Sequence, residues 1–261
     1  MVPGRAAGFY LNPNDSALML IALGVIAATR LNVLGNYLLW SVVSAGTVLT
    51  FSRSGWLILI IALLFMAYYG KLGSGRARIL FVSGVALVIT LLFVSFLSGD
   101  LYYFVANSPL ANLLDPNTVA RLGASGSAID DYSTQERNDV AWFGIQAFLN
   151  SPILGNGLAH THEWRETAST HNMLILQMAE QGIIGLITYA VFMAALIASN
   201  RGLGFALALL LGASGMFNHN QFDSLFQIVV IAFAMATGAR HLSMQVLPSS
   251  TYALPRPLNT A

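Results

Sequence analysis

The residues best suited to moving a proton or holding an anion fall at a few defined points in this chain. His171 stands directly before Asn172 and a long apolar run. Histidine is the side chain best matched to taking a proton near neutral pH, so His171 is either a general base or a headgroup-level histidine at a helix start. Arg53 sits in Phe51-Ser52-Arg53-Ser54-Gly55-Trp56, between two apolar runs with almost no loop. A cation at such a boundary snorkels, pairs or binds an anion. Arg137 lies near the start of an amphipathic segment, 136–150, where it is either a solvated helix-end charge or a phosphate ligand. Guanidinium grips phosphate through two hydrogen bonds at once. Glu180 follows His171 by nine residues and falls on the opposite helical face. An acid at that depth faces protein or water. His160-Thr161-His162 alternates two histidines without a firm third ligand. Zinc sites ask for three or four ligands, so the pair is taken as part of a loop rather than a metal centre. No phosphate-cradling glycine loop, Ser-His-Asp signature or paired-carboxylate motif occurs.

The elements that must position these residues are apolar. Of 261 residues, 56% are hydrophobic and 9% charged, and the mean hydropathy is +0.67. A soluble domain is about a quarter charged. The net charge of +1 lacks the basic stripe a nucleic-acid partner would need. With no cysteine, disulfides and thiolate metal sites are excluded. Arg5, Asn12, Asn14 and Asp15 precede the first apolar run, which is not the pattern of a signal peptide.

A membrane-crossing helix takes about 20 apolar residues. Candidate spans are 15–29, 34–51, 55–70, 79–97, 172–198, 202–217 and 225–239. The expected fold is therefore all-α: a polytopic bundle of about seven spans, forming one membrane domain over 1–261. One long polar loop, 98–170, interrupts it, with an interfacial helix over 136–150. In that helix Val140, Phe143 and Ala147 share a stripe, flanked by Trp142, Ile145 and Leu149. Ser151-Pro152 and Gly155-Asn156-Gly157 then turn the chain.

Cations set the orientation. Arg30, then Lys71, Arg76 and Arg78, then Arg201, then Arg240 lie in linkers after the first, third, fifth and seventh spans, which makes those linkers cytoplasmic. Of the 11 acidic residues none lies in them; Glu180 is within a span and the rest are on the other side. The N-terminus is then outside, an arrangement expected of the later part of a longer chain.

Three stretches resemble the O-antigen ligase and polymerase superfamily. They are Arg5-Ala6-Ala7-Gly8 leading to Asn12-Pro13-Asn14, then Ser52-Arg53-Ser54-Gly55 opening a span, and last His171-Asn172, nine residues, and Gly182-Ile183-Ile184-Gly185. The last is preceded by Pro152 and Gly155-Asn156-Gly157, as in family members. One departure stands out: Arg137 is followed four residues later by Ala141 rather than leucine, whereas Arg53 does precede Leu57. The resemblance covers most of 5 to about 198. Members carry more spans than this chain, which agrees with the expectation that it is the later part of a longer one.

The resemblance implies an inverting glycosyltransferase of the bacterial inner membrane, active on the periplasmic face. The donor would be a polyprenyl-diphosphate-linked glycan, and the acceptor lipid A-core, another glycan or a protein. His171 would be the base, Arg53 and Arg137 would hold the diphosphate, and Arg5 and Asn172 would support them. No metal or other cofactor is implied, because the lipid diphosphate is already an activated leaving group. Gly182 and Gly185 have a simpler expectation, as small residues that let helices approach. Polymerase and protein oligosaccharyltransferase activities remain open within the superfamily. Outside it stand an anion (bicarbonate) transporter, whose ionisable groups belong in broken helices at mid-membrane, and an inactive remnant.

Overall fold

The computed structural model describes residues 13–108, 128–162, 170–200 and 202–246, with the side chains of 96–97, 101, 128–137, 162, 203 and 237–246 excepted. Among these residues every regular element is helical. In chain order they are α1 (Pro13–Ala27), α2 (Val33–Leu49), α3 (Arg53–Tyr68), α4 (Arg76–Ser98), α5 (Asp100–Ala106), α6 (Ala128–Asn150), a 3-10 turn (His160–His162), α7 (Met173–Ser199), α8 (Leu203–Gly215) and α9 (Leu225–Val246).

Each apolar run expected to span forms a helix, but the lengths divide them. Among the described residues, α4 over Arg76–Ser95 and α7 are long and apolar enough to cross a membrane. Helices α1, α2, α3 and α8 are shorter: α3 has 16 residues, and at about 1.5 Å per residue it reaches roughly 24 Å, against a hydrocarbon layer of about 30 Å. Caps set the starts of two of them. Asn32 Oδ1 accepts from Gly35 N at 2.8 Å and opens α2, and Ser52 Oγ accepts from Gly55 N at 3.0 Å and opens α3.

Helix α1 packs on α2, α3 and α8; α3 also touches α4 and α8; α7 joins α6, α8 and α9. Their common core contains Ile21, Trp40, Leu59, Leu63, Met66, Met173, Leu207 and Leu211. Close approach depends on small residues. A Cβ on Gly24 would stand 3.0 Å from Val43, and one on Gly55 would stand 2.5 Å from Ala17 Cβ. Where lipid supplies no hydrophobic drive, such contacts are what hold apolar helices together.

The bundle has two chemically distinct ends. At one, Asn36 Nδ2 donates to Ala28 O, Leu31 O and, at 3.0 Å, Lys71 O. Tyr37 Oη donates to Leu72 O at 2.8 Å, and Arg78 to Ala67 O at 3.1 Å. The linkers carrying Arg30 and Lys71 are thus tied together there. The other end holds the starts of α1, α3 and α7.

Helix α7 is interrupted. Gly182 has φ 64 and ψ −152 inside its 27-residue length. The interruption frees backbone groups that the preceding loop takes up. Ile183 N donates to Pro152 O at 2.8 Å, Asn156 N to Ala179 O at 3.2 Å, and Gly157 N to Glu180 O at 2.9 Å. The loop backbone lies so close that a Cβ on Gly182 would be 2.5 Å from Ile153 O, and one on Gly155 2.3 Å from Glu180 backbone. This corrects the expectation for Gly182: it serves a left-handed backbone and a docked loop, not the approach of a second helix.

The helix after the long loop also differs in detail. α6 begins before 136, and its buried face runs through Val140, Gly144 and Ala147, whereas Phe143 is exposed. The pattern-based stripe placed Phe143 inward, but the next residue, Gly144, takes the buried position.

Substituting Gly182→Ala is expected to destabilise the protein by at least about 2 kcal/mol, combining left-handed strain with a backbone clash. Thermal unfolding in detergent checks this, and an unchanged Tm would contradict it.

Candidate functional site

Four chain segments meet at the end opposite Arg30 and Lys71, and side-chain hydrogen bonds join them. The start of α3 is bound to the start of α1: Ser52 Oγ, while capping α3, donates to Asn14 Oδ1 at 2.6 Å. Arg53, the next residue, is exposed at the first position of α3. One residue along α1, Asp15 is buried and reaches the loop between α8 and α9. Its Oδ1 accepts from Asn218 Nδ2 at 2.7 Å and its Oδ2 from Asn220 Nδ2 at 3.5 Å. Gln227 Nε2 on α9 donates to Asn220 Oδ1 at 3.0 Å, so the amides of that loop are held from two sides. A carboxylate accepting from two amides meets the rule that buried polar groups find partners.

Between those asparagines is His219, whose ring stands edge-on to His171 with centroids 5.7 Å apart and an interplanar angle of 85°. His171 itself is half-buried and has φ 47, a left-handed backbone that turns the chain into α7. Asn172 then caps α7, its Oδ1 accepting from Leu174 N at 2.8 Å and Ile175 N at 3.3 Å. Its Nδ2 donates to Met216 O at 3.3 Å, fixing the start of α7 to the end of α8. The imidazole is therefore aimed by its neighbour's cap and by the α8–α9 loop. A residue held outside the common backbone regions by surrounding bonds is what functional positions often show.

The expected site residues are distributed as follows. His171 and Arg53 occupy the same end of the bundle, linked in space through Ser52, Asn14, Asp15 and Asn218-His219. Asn172 is at this end as the α7 cap. Arg137 lies on the α6 backbone, with its side chain outside the described residues, and Arg5 lies outside them altogether. Glu180 is elsewhere: its Oε1 accepts from Thr161 Oγ1 at 2.6 Å and from Thr161 N at 3.3 Å. It is a loop anchor buried in protein. His160 and His162 share the 3-10 turn with Thr161, and among the described residues no group of three His, Cys, Asp or Glu could hold a metal ion.

Sequence reasoning found the polar residues of this end without their pairing. Asn14 and Asp15 are visible in the sequence only as polar residues before the first apolar run, and nothing there marks Asn218 and Asn220 as partners of Asp15. The one readable signal was the cap pattern Ser52-Arg53-Ser54-Gly55, which predicts a bound Ser52 but not Asn14 as its acceptor.

Replacing Asp15 with Ala is expected to cost about 1–3 kcal/mol, because it strands the Asn218 and Asn220 amides. Asp15→Asn, which keeps one acceptor, should cost less. Tm values that rank the two variants the other way would contradict the assignment.

Comparison with known proteins assigns the chain, though not this geometry, to a family. No curated protein matches the chain. The family model described as O-antigen ligase matches residues 37–190, a stretch that contains Arg53, Arg137, the docked loop, His171 and Gly182. More than half of the chain falls within that match, so it belongs to the O-antigen ligase family, whose members are membrane-associated and work on glycans.

Proposed function

We propose that this chain catalyses glycan transfer from a polyprenyl-diphosphate-linked donor, with O-antigen ligation to lipid A-core as its reaction. The observation that carries the proposal is the shared location of His171 and Arg53 at the end of the bundle remote from the cationic linkers. That separation supports a periplasmic site, because cation-rich linkers remain cytoplasmic. Arg53 at the first turn of α3 also benefits an anionic ligand through the helix dipole.

In the reaction His171 removes the proton from an acceptor hydroxyl as that oxygen attacks the anomeric carbon. The carbon–oxygen bond to the diphosphate breaks, and the electron pair leaves with the diphosphate. Attack opposite the leaving group inverts the anomeric centre. Arg53 and Arg137 offset the negative charge that grows on the departing diphosphate, a role preorganised cations fill well. The diphosphate lipid is activated already, so the step asks for no metal.

An anion transporter is the reading that the interrupted α7 favours, because transporters bind ions at broken helices. Here, however, the freed backbone groups bond to the loop 152–157, and Glu180 is bound to Thr161. The break is filled by the protein's own chain, which leaves the enzyme reading ahead.

The test is transfer of a labelled glycan in liposomes holding the protein, polyprenyl-diphosphate glycan and lipid A-core. His171→Ala should lower the rate by at least about 100-fold. Equal transfer by both proteins would remove His171 as the base. Growth of the donor into longer chains would indicate a polymerase. In the same assay Arg53→Ala should lower kcat and raise the donor KM, and EDTA should leave the rate within about twofold. Loss of transfer on chelation would contradict the metal-free mechanism.

A further inference from the structure

We propose that Asn156 is a positioning residue that sets the helix carrying Arg137 against the helix carrying His171. The inference rests on the reading above, in which both residues serve one reaction.

Asn156 bonds to both helices at once. Its Nδ2 donates to Ala147 O on α6 at 2.7 Å and to Ala179 O on α7 at 2.8 Å. Each acceptor sits where its own helix bonds weakly or not at all. Ala147 lies in the last turn of α6, where its carbonyl receives only a long backbone bond, 3.3 Å from a Ser151 N that is shared with Phe148 O. Ala179 lies three residues before Gly182, where the interruption removes the usual donor. A side-chain amide offers two N–H donors on one nitrogen, so asparagine supplies one to each helix.

The surrounding bonds set direction as well as spacing. Ala147 is level with Ala179, and just beyond the end of α6 Pro152 O pairs with Ile183 N. The two helices therefore run side by side in the same direction. Ten residues back along α6 is Arg137, and six back along α7 is its first residue, Met173, with His171 two residues before it. At about 1.5 Å per residue these helical steps are roughly 15 and 9 Å. Arg137 and His171 thus lie on the same side of the Asn156 bonds, although they are 34 positions apart in sequence. Gly155 and Gly182 make the arrangement possible, since either Cβ would meet backbone of the other segment.

The absence of cysteine allows a direct measurement on the full chain in liposomes. Spin labels are placed by Asp139→Cys on exposed α6 and Thr188→Cys on exposed α7. Asn156→Asp removes both donors at constant size; Asn156→Ser is the milder variant if the first does not fold. Both keep the backbone bond to Ala179. The expected result is a broader or shifted 139–188 distance distribution. With it should come a kcat loss of roughly 10- to 100-fold, while donor KM stays within about twofold. An unchanged distribution overturns the proposal, and so does a widened one with wild-type kcat. If the wild-type protein transfers no glycan, the functional reading fails, and the distance distribution still decides whether Asn156 sets the two helices.

Discussion

A helix that stops and restarts in apolar surroundings leaves amide and carbonyl groups that hydrocarbon does not satisfy, each at a cost of several kcal/mol. Helix α7 is interrupted in this way at Gly182, and the arrangement around it follows from that requirement. The loop 152–157 supplies backbone donors and acceptors to both sides of the interruption. To do so it must approach at backbone distance, which only glycine permits at 155 and 182. Once docked, it brings α6 along, because Ser151 and Pro152 follow directly on α6, and it brings Thr161 to Glu180. Glu180, a buried acid, is thereby used to hold a loop.

The same loop connects packing to function. The segment between α5 and α7 is long and polar, yet residues 152–161 are fixed to α7 rather than simply connecting two helices. The helix that bears Arg137 is held at the side of α7, whose start bears His171. On the far side of that start, the amides of the α8–α9 loop bond to Asp15, and Asn14 of the same turn bonds to Ser52. Arg53 and His171 lie far apart in sequence, and three different connections between helices bring them to one end. That end is thus built by hydrogen bonds between helix starts, while the helices themselves pack through small residues and apolar side chains.

Much of this was legible beforehand, for identifiable reasons. The helices announced themselves through apolar runs, and the separation of cations from acids marked the two ends, because charge is excluded from the apolar layer. Ser52 and Asn172 were recognisable as residues that begin helices. What could not be read was pairing between distant segments. Nothing in Asn14 or Asn218 states which partner it will find. Gly182 was misjudged because a glycine in an apolar run has the same signature whether it eases helix contact or breaks the helix. Phe143 was misplaced for a related reason: periodicity scores large side chains, whereas α6 turns Gly144 inward.

The central claim is that the end bearing His171 and Arg53 is where glycan transfer takes place. It is tested most directly in sealed vesicles of uniform orientation. An impermeant thiol reagent first locates the two ends, using Ala106→Cys at the end of α5 and Ser74→Cys between α3 and α4, both exposed positions. Donor and acceptor are then supplied from one side only. The account predicts transfer when they share the side on which Cys at 106 is labelled. Transfer confined to the side of position 74 would contradict it.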